Sequence, residues 1–216
     1  MHLSLVGTVH GEVGLASIEQ LHAILERSQP EVIFAEIPTS HIVSYRDGSH
    51  RTLESVAVAR YLVSHHIDLV PVDLDKPEQK FFNDTNDMFR AVSRTSSDFR
   101  CLMDRDDNEI RENGFHYLNS DTCIQMWADI YHEALATIEH TGSHRLRDIY
   151  DLWIKTNERR EREWIKNISH YLDRNTLARG MFLVGTAHRE SLIDMALEGG
   201  GMGLNRIEWD LDSFLK

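Results

Sequence analysis

Four short apolar runs set what this chain can fold into: residues 2–7 (HLSLVG), 32–37 (VIFAEI), 67–74 (IDLVPVDL) and 181–185 (MFLVG), with a fifth at 206–211 (RIEWDL). The first four are short and nearly continuous in hydrophobicity, with β-branched residues, the pattern of strands buried on both faces of an α/β layer. Between the first two lies GLASIEQLHAILERSQP, with Leu15, Ile18, Leu21, Ala23, Ile24 and Leu25 at helical spacing and a stop at 28–30. LESVAVARYLVSHH repeats that pattern between the second and third. The order is β-α-β-α-β with right-handed crossovers, so the expected fold class is α/β: a mostly parallel central sheet flanked by helices.

From about residue 76 to 180 the strand signals vanish and charged helical periodicity takes over, as in DTCIQMWADIYHEALATIEH. No Ser/Gly/Pro linker brackets this stretch. It reads as a helical insertion before the C-terminal strands, lying over an edge or mouth of the sheet within a single domain spanning 1–216. Its most polar part, SRTSSDFRCLMDRDDNEIRENG at 93–114, is expected to be a mobile loop.

Composition narrows the function classes. Lys and Arg number 23 against 35 Asp and Glu, a formal charge of −12, which repels polyphosphate and argues against nucleic acid as a partner. Mean hydropathy is −0.39, and no run nears the roughly 20 apolar residues of a membrane helix. With no basic leader segment before the first apolar run, a cytoplasmic setting and no membrane partner are expected. Two cysteines, Cys101 and Cys123, are too few for a disulfide scaffold. The expected partner is a peptide or small acyl substrate, and homo-oligomerisation stays open.

The chemistry enters with a repeated string. Leu-Val-Gly-Thr-x-His occurs at 5–10 and again at 183–188, each time closing an apolar run and placing a histidine three residues after the glycine. In parallel sheets functional groups collect at the carboxyl ends of the strands, and a glycine there permits a close approach or a conformation denied to other residues. If the two strands are neighbours, His10 and His188 converge. Glu36, ending the second strand before Pro38, adds a carboxylate to the same rim. Two histidines and a carboxylate are an open ligand set for a catalytic divalent metal; without metal, the trio supplies a histidine base oriented by Glu36.

These elements together resemble the TraB/PrgY and TIKI superfamily, which also takes in erythromycin-esterase-like and ChaN-like proteins. The resemblance rests on Gly7-Thr8-Val9-His10 and Gly185-Thr186-Ala187-His188, on Glu36 at the end of the second strand, and on Arg160-Glu161-Arg162-Glu163-Trp164. That last stretch is similar to the family's Arg-Asp/Asn-x-x-Met/Trp element, with Glu161 in place of Asp or Asn, and Arg159 or Arg162 as alternative equivalents of Arg160. The resemblance implies metal-dependent peptide hydrolysis with manganese- or cobalt-like ions, zinc also being admissible. His10, Glu36 and His188 are then the ligands, Glu36 alternatively the base, and Arg160 the group that holds developing negative charge. Ester cleavage without metal and haem or small-ligand binding occur on the same scaffold and stand as alternatives. By itself, the run 158–163 also reads as a solvated helix face laced with i,i+4 pairs.

Other signals are set lower. Gly7, Gly11 and Gly14 do not make the G-x-G-x-x-G of a dinucleotide site. EGGGMG at 198–203 reads as a helix stop and turn. His65 and His66 suit a helix end, while Thr141-Gly142 separates His144 from His132 and His140. Asp73 and Asp75 lie at the third strand's end, either as partners for a histidine or as caps. Trp127, Trp153 and Trp164 read as packing.

Overall fold

The computed structural model describes residues 1–75, 77–198 and 206–216. Its five strands are β1 (His2–Thr8), β2 (Val32–Ala35), β3 (Asp68–Pro71), β4 (Arg179–Gly185) and β5 (Glu208–Asp210). They form one sheet in the order β3-β2-β4-β1-β5, with every pairing parallel. The α/β class expected from the apolar runs is therefore the class observed. β4, last but one in the chain, inserts between β1 and β2, so the two repeated motifs end up side by side: Thr8 pairs with Gly185 and Gly7 with Val184.

Helices cover both faces. On one, α1 (Ile18–Ser28) and α3 (Leu53–Ser64) press Leu21, Ile24, Leu25, Ala57 and Val58 against Val6, Ile33 and Leu183; the short α2 (Ile42–Arg46) adds Tyr45. Each helix has a reason to start where it does. Ser17 caps α1 through Gln20 N–H, and Thr52 with Ser55 forms a reciprocal capping box on α3. Full burial of side chains such as Ile33 and Phe34, each worth about 1.5–3 kcal/mol, explains why β2 reads as an unbroken apolar run.

The insertion comprises α4 (Gln79–Thr95), α5 (Ser97–Leu118), α6 (Asp121–Thr141) and α7 (His144–Leu172). Its upper part has a core of its own, built on Met88, Val92, Phe99, Met126, Ile130 and Tyr150. Its lower part belongs to the sheet: Phe115 and Leu118 of α5 join the first face, and Trp164, Ile165, Ile168 and Leu172 of α7 cover the second, together with Leu192 of α8 (Arg189–Glu198). Helix α7 has 29 residues, about 43 Å at the α-helical rise, and ties the helical roof to the strand ends.

The loop expected at 93–114 is instead helical. Ser96 interrupts the chain only briefly, its hydroxyl accepting from Phe99 N–H, and α5 then runs on with a kink at Gly114 (φ 53°). Phe99, Leu102, Met103 and Ile110 recur at helical spacing and find partners in the two cores, while most of the charges face water. The polarity of that stretch described its outer face and concealed the inner one. The fifth strand is shorter than its sequence signal, and of the EGGGMG stretch all but Glu198 lies outside the described residues.

Candidate active site

β1 leaves the sheet at Thr8, and the chain does not enter α1 for another nine residues, so His10 stands in irregular backbone with its ring 75% exposed. The His10 carbonyl accepts from Leu53 N–H (2.8 Å), which brings the first turn of α3 against the loop. That contact places Glu54, buried, with Oε1 3.2 Å from His10 Nδ1 and 2.7 Å from the Thr8 hydroxyl that donates to it. The bond from Glu54 pushes the His10 imidazole above its ordinary 6.5 despite partial desolvation; Glu36 adds to the rise and Arg160 opposes it. Burial disfavours charge on Glu54, but the His10 bond and charge, with the Thr8 hydroxyl, outweigh it and hold the carboxyl below its usual range.

The second motif is built differently. After β4 the chain turns at once through Thr186–His188 into α8, leaving His188 only 14% exposed. Its Nδ1 lies 2.5 Å from Glu161 Oε1, whose other oxygen accepts from the Ser191 hydroxyl (2.7 Å). Burial works against ionisation of Glu161, yet the His188 bond and charge prevail and depress its pKa. The ring packs edge-on against Trp164 at 5.0 Å, and Nε2 is 4.0 Å from Glu36 Oε1.

Between them sits an ionic cluster. Arg160 Nη2 donates to Glu36 Oε1 (2.7 Å) and Asp73 Oδ2 (2.8 Å), and Nε to Asp73 Oδ1 (3.2 Å). Glu36 Oε2 accepts from Gly185 N–H (2.8 Å), and Asp73 Oδ1 from Trp164 Nε1 (2.6 Å). Although burial alone would lower its pKa, Asp73 and Glu36 raise that of Arg160, whose guanidinium also lies 4.9 Å over the Trp164 ring. Among the three arginines open on sequence grounds, Arg160 faces the site; Arg159 is exposed, and Arg162 is exposed and paired with Glu158. Asp73 is a partner of the arginine, not of a histidine, and Asp75 is exposed.

His10, Glu36, Glu54, Asp73, Arg160 and His188 all line one cavity of about 870 Å³, roofed by the helical insertion. Sequence reasoning did not single out Glu54, named Glu161 only as the residue standing for Asp or Asn in the Arg160 element, and in its metal-free alternative gave Glu36 the orienting role that these two carboxylates fill. Glu161 had a signal: it stands three and four residues before Trp164 and Ile165, on the stripe continued by Ile168 and Leu172, where a carboxylate is out of place unless paired. Glu54 had none, since an acid in a helix's first turn is ordinary.

Of the two motif glycines, Gly7 acts by space rather than by an unusual backbone angle. A Cβ at Gly7 would lie 2.5 Å from Arg189 Cδ and 2.9 Å from the Leu118 carbonyl, and the Gly7 amide pairs with Asn119 Oδ1 (2.7 Å). At Gly185 a Cβ would make ordinary contact only. His132, His140 and His144 are exposed and divided by the left-handed Gly142 (φ 65°), and Cys101 and Cys123 are both free thiols.

As the side chains stand, they do not fit a three-ligand metal centre. Both Glu36 oxygens are engaged, by a guanidinium and a backbone N–H, and among the described residues no group of three or more His, Cys, Asp or Glu is arranged to hold an ion. Nor, among them, is any helix long and apolar enough to cross a membrane. Comparison of the chain with protein-family models, with curated proteins and with solved structures finds no match in any of the three.

Proposed function

We propose that this chain hydrolyses an acyl bond at the rim where His10, His188 and Arg160 face one cavity, and that it is kin to the TraB/PrgY and TIKI superfamily through its paired Gly-x-x-His elements. One observation carries the reading: two imidazoles, each backed at Nδ1 by a buried carboxylate, share a cavity with a guanidinium clamped between two more. Glu161 favours the His188 tautomer that keeps its proton on Nδ1 and offers Nε2 as the base. Nε2 takes a proton from water as the water oxygen attacks the acyl carbon, and Glu161 stabilises the imidazolium so formed. The carbonyl oxygen becomes an oxyanion. Among the described residues, the hydrogen bonds of Arg160 use Nε and Nη2, leaving Nη1 to donate to that oxyanion. As the acyl bond breaks, His10, biased toward its protonated form, gives the leaving alcohol or amine its proton.

A metal-assisted variant has one observation behind it: two carboxylates, Glu36 and Asp73, share the Arg160 guanidinium, and two more, Glu54 and Glu161, back the imidazoles, an excess of negative charge that suits a cation. It requires Glu36 to exchange Arg160 for the ion. The test is a panel of chromogenic esters and fluorogenic peptides with the full chain, His188→Ala and Glu161→Gln, each with and without chelator. Turnover falling by about 10²–10⁴ in His188→Ala, unchanged by chelation, is the expected result. Loss on chelation with recovery in manganese, cobalt or zinc selects the metal-assisted variant. No cleavage of any substrate in the panel overturns the hydrolase reading and leaves a binding protein for haem or another small ligand.

A further inference from the structure

Behind the ionic rim the cavity is mostly apolar. Its far wall is made by Phe81 and Phe89 of α4, Phe99 of α5, Trp127 and Tyr131 of α6, and Trp153 of α7. These rings brace one another: Phe89 and Tyr131 each meet Trp153 edge-to-face at 5.2 Å, and Trp127 meets Tyr131 at 5.5 Å. A wall held by such contacts is preformed and does not need a ligand to shape it. At about 870 Å³ the space is that of a small-molecule site, where most of a ligand's surface is enclosed.

The charges at the rim restrict what enters. Arg160 is the single Lys or Arg among the described residues lining the cavity, and its charge is already shared between Glu36 and Asp73. With Glu54 also on the rim, three carboxylates stand there against one guanidinium and the His10 imidazole, so a ligand carboxylate or phosphate meets an excess of like charge. The lining is not wholly apolar: His41, His50, Asn86 and Asn157 also contribute to it.

We infer that the substrate is a neutral, compact, largely apolar acyl compound, and not an extended peptide or an anion. Which bond is cut rests on the acyl-hydrolysis reading; what the chamber holds does not. The acyl or alcohol body packs against the aromatic wall and its carbonyl reaches the rim. An extended peptide lacks the compact apolar body that this wall would enclose, and bears charged termini.

The experiment uses the full chain in two arms. In the first, fluorescence titration compares a neutral dye, N-phenyl-1-naphthylamine, with the anionic 8-anilino-1-naphthalenesulfonate, for the wild type and for Thr85→Trp and Met103→Phe, which put bulk into the chamber; circular dichroism confirms that each variant is folded. The neutral dye is expected to bind at least tenfold more tightly than the anion and to lose about tenfold in Thr85→Trp. In the second arm, kcat/KM is compared for p-nitrophenyl acetate and octanoate. Each buried methylene is worth up to about fourfold, so octanoate is expected to lead by more than tenfold, and the ratio to collapse in the filled variants.

Equal or tighter binding of the anion, or filled variants that change neither dye binding nor the ester ratio, overturns the inference. Cleavage of acetate and octanoate at equal efficiency with no dye uptake overturns it while leaving hydrolysis standing. Neutral-dye binding that Thr85→Trp abolishes, with no ester or peptide cut, overturns the hydrolase reading and upholds the chamber as a site for neutral apolar ligands.

Discussion

Removing the guanidinium at the centre of the cluster is the sharpest test of how the rim is held. The Arg160, Glu36 and Asp73 side chains are only 21%, 12% and 8% exposed, so the pairs at 2.7 and 2.8 Å lie largely out of water. Methionine in place of Arg160 keeps most of the stem's packing and strands both carboxylates. Breaking a buried pair from one side costs about 3–5 kcal/mol, because the remaining charge is left without compensation. Here part of the solvation survives: Gly185 N–H still serves Glu36, and Trp164 Nε1 and Leu74 N–H still serve Asp73. The lower end, about 3 kcal/mol, is therefore expected, which for a chain of this length lowers Tm by about 6–12 °C. Urea unfolding followed by tryptophan fluorescence measures it, and adding Asp73→Asn should restore part of the loss through coupling between contacting sites. A loss under about 1 kcal/mol, or no recovery on adding Asp73→Asn, would refute the account of a buried, mutually dependent cluster.

Three further outcomes are expected. For the His10–Glu54 pair, the depressed carboxylate contributes above its ordinary 4.5 and loses its contribution as pH falls through its lower folded value; the raised imidazole contributes below 6.5 and loses it as pH rises through its higher one. Glu54→Gln should therefore cost most stability between those two values, and its NMR titration should show the His10 midpoint falling toward 6.5. Gly7→Ala should destabilise by about 1–3 kcal/mol, because its methyl meets the Leu118 carbonyl and the Arg189 stem, whereas Gly11→Ala, with nothing within 4 Å, should be near neutral in the same thermal melts. A thiol reagent at pH 8 should label Cys101 rapidly and Cys123 only on unfolding, since Cys101 is exposed while burial pushes the Cys123 thiol up to about 11; equal rates would show that the packing around Cys123 opens readily.

Much of the frame was legible before any coordinates. Strands such as β2 and β4 are read from continuous apolar runs because burial on both faces leaves no room for polar alternation. His10, Glu36, His188 and Arg160 were legible as residues out of keeping with the ends of such runs, or as part of a resemblance. The helical nature of 93–114 was not, because a helix that buries a narrow stripe presents mostly charge to a reader of composition. The carboxylates at 54 and 161 were hidden for a related reason: a buried acid looks like a surface acid until its partner is known.

Local physics thus determined the elements and the strand-end residues: the period of the apolar positions, the caps at Ser17 and Thr52, and the chain's exit from the sheet at Thr8 and Gly185. Tertiary structure alone decided which imidazole meets which carboxylate, that Arg160 rather than Arg159 or Arg162 turns inward, and that four insertion helices roof a single apolar chamber. Those pairings join residues 27 to 124 positions apart. They follow from β4 inserting between β1 and β2 and from α7 reaching from the roof to the strand ends, relations of packing that no local window of sequence encodes.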